Sequence, residues 1–176
     1  MKIGVDLGGT NVRAALVDGT EVIRKEKASC PAKGTQEEVI EAIAGLIEPL
    51  ICKEVTSIGI GVPSVVDTAK GIVYNVANIP SWQEVHLKDI FEKRFGIPVH
   101  INNDANCFSL GESHFGQGCG YKDLVGITLG TGVGSGIVVG GYVLYGHDGF
   151  AGEFGHVTMV RKNGRLCGCG KTGCLE

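Results

Sequence analysis

Three cysteines and a histidine carry the sharpest chemical signal in the sequence. Cys167-x-Cys169-x4-Cys174 follows His156 by eleven residues, and three thiolates closed by one imidazole form the Cys3His donor set of a structural zinc site. Gly168, Gly170 and Gly173 let the backbone fold tightly around one ion. The plainer alternative is a set of ordinary reduced thiols. Cys30, Cys52, Cys107 and Cys119 are scattered and take no role, and an odd total of seven Cys argues against a full disulfide framework. Glu153 stands three residues before His156 and Glu176 two after Cys174, so a zinc knot would hold two carboxylates close to one place.

Two glycine turns form the second signal. LGGTN (Leu7 to Asn11) and GTGVGSG (Gly130 to Gly136) each set Thr beside Gly, as Gly9-Thr10 and Gly130-Thr131, between β-rich segments. Glycine there serves either a positive φ or the close approach of backbone N–H groups to phosphate oxygens. Asp6, just before the first turn, is a candidate ligand for Mg²⁺, directly or through water, since hard cations prefer oxygen. Asp104 follows a strand and opens a helix; it reads either as an N-cap or as a general base for a substrate hydroxyl. Two other nucleotide signatures fail. Gly170-Lys171-Thr172 resembles the end of a P-loop, but the earlier glycine falls on Arg165. Gly168 to Gly173 fits G-x-G-x-x-G but has cysteines inside it and no βα unit around it.

The elements that must position these groups follow from apolar spacing. Lys2 to Asp6 and Val12 to Val17 read as a hairpin, and Ser57 to Val62 and Val99 to Ile101 as buried strands. Thr35 and Glu38 make a capping box for a helix carrying Val39, Ile40, Ile43, Ile47 and Leu50. Leu87, Ile90, Phe91 and Arg94 fit a short helix stopped by Gly96, and Ala105 to Phe115 a further one. Gly116 to Gly120 is the expected seam between a first α/β lobe, residues 1–116, and a second, residues 117–176. Beyond it, Leu124 to Leu129 and Ile137 to Leu144 flank the second turn and repeat the opening hairpin.

Composition limits the partners. Sixteen Lys and Arg against 19 Asp and Glu give a formal charge of −3, which excludes a broadly basic nucleic-acid binder, so none is expected as a partner. The 29 glycines, more than twice the usual share of about 7%, show no three-residue period and must serve local turns. No apolar run approaches the roughly 18 residues of a membrane span, and the opening residues lack a signal-peptide pattern, so the expected location is cytoplasmic, with no membrane partner.

Taken together, DLGGTN (Asp6 to Asn11), NNDANC (Asn102 to Cys107), LGTGVGSG (Leu129 to Gly136), GEFGH (Gly152 to His156) and CGCGKTGCLE (Cys167 to Glu176) resemble the ROK family of repressors and sugar kinases, its bacterial glucokinases above all. The resemblance implies an actin/hexokinase-like α/β fold of two ribonuclease H-like lobes, with the sugar in a cleft and ATP beside it. It implies a longer chain, the first lobe complete here and the second partial, and a homo-oligomer, dimer or tetramer, for the full-length form. Asp104 corresponds to the catalytic base that takes the proton of the sugar 6-hydroxyl. Asn78, Asn103, Glu153, His156 and Glu176 correspond, with Asp104, to sugar contacts, His156 offering one ring nitrogen to zinc and the other to the sugar. Gly8, Gly9 and Thr10, with Gly130, Thr131, Gly132 and Gly134, correspond to the phosphate turns.

Implied cofactors are structural zinc on His156, Cys167, Cys169 and Cys174, and Mg²⁺ with ATP. The expected activity is ATP-dependent phosphorylation of a hexose, glucose foremost, with the 176 residues alone weakly active or inactive. N-acetylmannosamine, N-acetylglucosamine, fructose and allose remain open as substrates, and polyphosphate as donor. A sugar-sensing repressor and a non-catalytic sugar-binding module are the competing classes. Family repressors carry a helix-turn-helix ahead of the DLGGT-like strand, which here begins at Ile3. Two positions depart from the family pattern: Ser135 and Ser64 stand where glycine is frequent.

Overall fold

The computed structural model describes residues 1–130 and 132–176. They form two compact units, Met1–Asp104 and Ala105–Glu176. In the first, β1 (Lys2–Leu7) and β2 (Asn11–Asp18) make the expected antiparallel hairpin. Its register sets Ile3 beside Leu16, Val5 beside Ala14 and Leu7 beside Val12, all buried. A side-chain period of two places these six on one face. The edge strand β3 (Glu21–Ser29), absent from the sequence reading, pairs with β2. Its sequence EVIRKEKAS is charged and exposed, without a buried alternation, which suits an edge that must not recruit further strands.

Helix α1 (Gln36–Ile47) opens on the capping box: the Glu38 N–H donates to Thr35 Oγ1 at 3.2 Å and the Thr35 N–H to Glu38 Oε2 at 2.7 Å. It stops before the expected Leu50, which lies instead in the 3-10 turn Glu48–Leu50. Pro49 has no N–H with which to continue the α ladder. After β4 (Ser57–Val62) come β5 (Val65–Asp67), β6 (Ile72–Tyr74) and β7 (Glu84–Val85), paired antiparallel in a small separate sheet. These strands are too short to show a period in sequence. Helix α2 (Leu87–Phe95) ends at Gly96 with φ 66°, and β8 (Val99–Asn103) follows.

The large sheet has the order β3-β2-β1-β4-β8, with β1, β4 and β8 parallel. Ile58, Ile60, Val99 and Ile101 extend the apolar face across β4 and β8. Val39, Ile43, Ala44 and Ile47 of α1 and Leu87 and Phe91 of α2, all fully buried, complete the core. Arg94 at the end of α2 grips α1 and the turn after it, donating to Glu41 Oε1 and Oε2 at 2.5 and 3.0 Å and to Glu48 Oε1 at 2.8 Å. Those hydrogen bonds hold Glu41 below the ordinary carboxylate range. Because β1, β4 and β8 are parallel, the segments that leave their carboxyl ends emerge at one edge of the sheet.

The second unit holds most of α3 (Asp104–Phe115) and the sheet β11-β10-β9, with β9 Leu124–Leu129, β10 Val133–Val139 and β11 Tyr142–Val143. Two expectations shift. The glycine turn is shorter than Gly130 to Gly136, because β10 already begins at Val133 opposite Leu129. The return strand also breaks before Leu144, at Gly140 and Gly141, where φ is 60° and 86°.

The units divide at the start of α3 rather than in Gly116 to Gly120. The reason is packing of α3 on β9 and β10. A Cβ on Gly136 would lie 2.8 Å from the Ala105 carbonyl oxygen, one on Gly126 3.0 Å from Ser109 Cβ, and one on Gly134 3.2 Å from Ala105 Cβ. The Ser109 hydroxyl, fully buried there, donates to Ala105 O at 2.8 Å. Among the described residues no helix is long and apolar enough to cross a membrane.

Gly136→Ala should therefore destabilise the protein by about 1–3 kcal/mol, the usual cost of overpacking a closed contact. Gly111, on the same helix with nothing within 4 Å of its added Cβ, is the control. Gly111→Ala should stabilise by about 0.4–1 kcal/mol through helix propensity and unfolded-state entropy. Urea unfolding midpoints of the two variants should move in opposite directions.

Candidate functional site

In the first unit, β1 runs into Gly8-Gly9-Thr10, whose backbone is fixed by Gly8 N–H donating to Asn11 O and Cys30 N–H donating to Thr10 O, both at 2.9 Å. Gly9 is where a side chain is excluded: its added Cβ would sit 2.9 Å from Asn78 Cβ. Asn78 is carried by a loop that closes on itself, with Asn75 N–H donating to Gln83 O, Val76 N–H to Trp82 O and Trp82 N–H to Ile79 O at 2.9 to 3.0 Å. Val76, Ile79 and Trp82 anchor the loop in the core, leaving Asn78 exposed against the Gly9 turn.

Asn103, the last residue of β8, donates from Nδ2 to Ser64 O at 3.3 Å, just past the end of β4. The Ser64 hydroxyl in turn donates to Tyr74 O. Asp104 follows as the first residue of α3, half-buried. Asn103, Asp104 and the first glycine turn thus leave one edge of the large sheet, and Asn78, between β6 and β7 of the small sheet, rests against that turn. Asp6 lies on the face of β1 opposite the core and pairs with Arg13 at 3.2 Å, both side chains more than half exposed. Such a pair is screened and weak, so the carboxylate could turn to a hard cation at small cost.

In the second unit, the remaining site residues gather on β10 and the segments packed beside it. Gly130 N–H donates to Gly132 O at 3.0 Å; Thr131 lies outside the described residues. Gly134 is inside β10, where packing on α3 gives it a reason independent of any phosphate. Glu153 Oε2 lies 3.7 Å from His156 Nε2, and Glu176 Oε1 lies 3.7 Å from His156 Nδ1. Glu176 also accepts from Val133 N–H at 3.2 Å, through Oε2, next to Gly132. Its own N–H donates to Gly155 O at 3.1 Å, and Arg165 donates to its backbone oxygen at 3.0 Å.

The ligand atoms of His156, Cys167, Cys169 and Cys174 all lie within 4.8 Å of one another. Cys169 Sγ is 3.7 Å from Cys174 Sγ, and Cys167 Sγ is 3.5 Å from His156 Nδ1. Ligands bound at about 2.0–2.3 Å with tetrahedral angles are themselves about 3.3–3.8 Å apart, so the set can close on one zinc-sized ion. The sulfur separation is well beyond the roughly 2.05 Å of a disulfide. The loop is held by Cys167 N–H to Lys171 O at 2.8 Å and Gly173 N–H to Arg165 O at 2.8 Å. The Cys169 N–H favours the Cys167 thiolate, but desolvation and hydrogen bonds with Cys169, Glu176 and Cys174 outweigh it and leave the thiol raised to about 11. The Lys171 N–H holds Cys169 below its ordinary value. A bound cation reverses such logic, since it deprotonates the thiols that ligate it.

The sequence reading treats Ser135 only as a departure from the family pattern and assigns no contact to Arg165 or to the Val133 N–H. Ser135, buried in β10, donates its hydroxyl to Gly152 O and accepts from Phe154 N–H at 3.3 Å. The only signal was a hydroxyl inside a run of glycines. The backbone partners of Glu176 leave no trace in sequence.

Residues 2–176 match the ROK family. A glucokinase of Thermotoga maritima is 45% identical over 177 residues, covering 99% of this chain and 55% of its own length. The xylose repressor of Caldicellulosiruptor bescii is 36% identical, covering 99% of this chain and 45% of its own. The crystal structure of a ROK family glucokinase from Streptomyces griseus in complex with glucose and AMPPNP superposes with a TM-score of 0.88 at 40% identity, over 98% of this chain and 55% of that one. The chain spans about half the length of the curated relatives it matches. Over that span it is α/β and has the actin/hexokinase-like fold of the ROK glucokinases. The chain belongs to the ROK family.

Proposed function

We propose that the protein containing this chain is an ATP-dependent hexose kinase acting on glucose, with Asp104 as the general base. The observation that carries the reading is the shared sheet edge: Asp104 and Asn103 leave β8, the Gly8–Thr10 turn leaves β1, and Asn78 rests against that turn. Phosphoryl transfer needs a hydroxyl nucleophile, a base and a phosphate cradle held in order, more than it needs covalent chemistry. Asp104 would accept the 6-hydroxyl proton as oxygen attacks the γ-phosphorus and the bond to the β-phosphate oxygen breaks. Asn78, Asn103, Glu153, His156 and Glu176 would bind the sugar hydroxyls. The turns Gly8 to Thr10 and Gly130 to Gly134 would meet phosphate oxygens through backbone N–H groups other than those of Gly8, Gly130 and Val133, which donate within the chain. Likeness to a glucokinase that binds glucose and AMPPNP supports glucose and ATP over the other sugars and over polyphosphate.

Two metals belong to this reading. Mg²⁺, with Asp6 as its ligand from the chain, would neutralise phosphate charge. Zinc on His156, Cys167, Cys169 and Cys174 would be structural, holding Glu176 and His156 in place; the donor set and its spacing support it. Likeness to a xylose repressor favours one second reading, a sugar-responsive regulator. ADP release with a panel of sugars separates the two, since a regulator would bind sugar without turnover.

Asp104→Asn should keep sugar affinity and lower kcat by about 10² to 10⁴, the usual worth of general-base catalysis. Asn caps a helix about as well as Asp, so an unchanged kcat would assign Asp104 to capping alone. Metal analysis after dialysis should find about one zinc per chain, and Cys169→Ser should lower it. Full zinc content in a Cys167/Cys169/Cys174 triple Ser variant would overturn the metal site.

A further inference from the structure

Glu153 and His156 sit on a segment, residues 152–156, that lies flat on β10. Gly152, with φ 90°, comes so close that an added Cβ would be 2.7 Å from Ser135 O. Gly155 is pressed on the Val133 backbone in the same way, its Cβ position 3.1 Å from Val133 C. Side chains alternate along a strand: Gly134 and Gly136 face α3, so Val133 and Ser135 face this segment. Ser135 is 6% exposed. Its hydroxyl braces the tight turn at Glu153, in which Phe154 N–H donates to Gly152 O at 2.7 Å, by itself donating to Gly152 O and accepting from Phe154 N–H.

We infer that Ser135 is a positioning residue, whose hydroxyl sets the backbone of Glu153 and through it the sugar-facing side of Glu153 and His156. The inference rests on the sugar site proposed above. Ala at 135 would keep the methylene volume but take the hydroxyl from both groups, leaving Phe154 N–H and Gly152 O only their bent three-residue contact with each other. Gly would open a polar space of about one water, whose donor and acceptor can restore the bridge. The strand therefore has two workable solutions, a hydroxyl or a water, and one poor one, a methyl.

The test compares Ser135→Ala and Ser135→Gly with the unsubstituted protein in the form that contains the whole second lobe. Ser135→Ala should raise the glucose KM about tenfold, while Ser135→Gly raises it less; KM for ATP and zinc content should not move. Independently of any turnover, amide exchange at Phe154 should quicken about tenfold in Ser135→Ala and less in Ser135→Gly. A glucose KM unchanged in Ser135→Ala, or rising in step with the KM for ATP, would overturn the positioning role. So would unaltered Phe154 exchange. If the unsubstituted protein neither turns over nor binds any sugar of the panel, the sugar-site reading falls and the sugar-facing half of this inference with it. Quickened Phe154 exchange would in that case still establish the hydroxyl clamp.

Discussion

Much of the second unit depends on how thin β10 is. Its even positions, Gly134 and Gly136, carry no Cβ, and helix α3 fills that space with Ala105 and Ser109. On the odd positions, Val133 and Ser135 receive Gly155 and Gly152 of the segment that bears Glu153 and His156. One strand is therefore squeezed by a helix and by the segment that bears Glu153 and His156, and glycines make both contacts possible. The glycine excess of the whole sequence becomes intelligible in these terms: part of the GTGVGSG run is a packing surface, and only its first part is a turn.

The first unit solves its positioning problem by direction instead of by closeness. Parallel pairing of β1, β4 and β8 is set by apolar residues two apart, Ile3 and Val5 on β1, Ile58 and Ile60 on β4, Val99 and Ile101 on β8. A slip of one residue would turn all of them to the wrong face. The same register that buries them fixes how far each chain segment has advanced when it leaves the sheet, so Gly8, Pro63 and Asp104 leave at matched heights. Core burial and site geometry are thus one constraint.

What was legible in the sequence follows from this. The hairpins, α1 with its capping box, α2 with its Gly96 stop, β4 and β8 were visible because burial leaves a period in apolar residues. The clustering of His156 with Cys167, Cys169 and Cys174 was visible because these residues are few, close in sequence and chemically distinctive. β3 was not, since an exposed edge strand has no need of a buried face, and β5 to β7 are shorter than any period. Ser135 was legible only as an odd letter in a glycine run. Its meaning depends on Gly152 and Phe154, which lie 17 and 19 residues further along the chain and meet it only in the folded unit.

His156 joins the cysteine cluster to the two carboxylates. Its Nδ1 faces Cys167, and its Nε2 faces Glu153. A metal held at Nδ1 leaves the ring proton on Nε2, because a neutral imidazole has only one. The imidazole then presents a donor toward Glu153 and toward whatever that carboxylate binds. Without a metal, the proton can reside on either nitrogen, and Glu176 near Nδ1 competes for it. Metal binding would so define a tautomer as well as a loop, as outer partners of metal ligands commonly do in the reverse direction. The Cys/His cluster and the two carboxylates would then form a single electrostatic unit, in which loss of a ligand from the metal changes the hydrogen-bonding character of the surface on the other side of the ring.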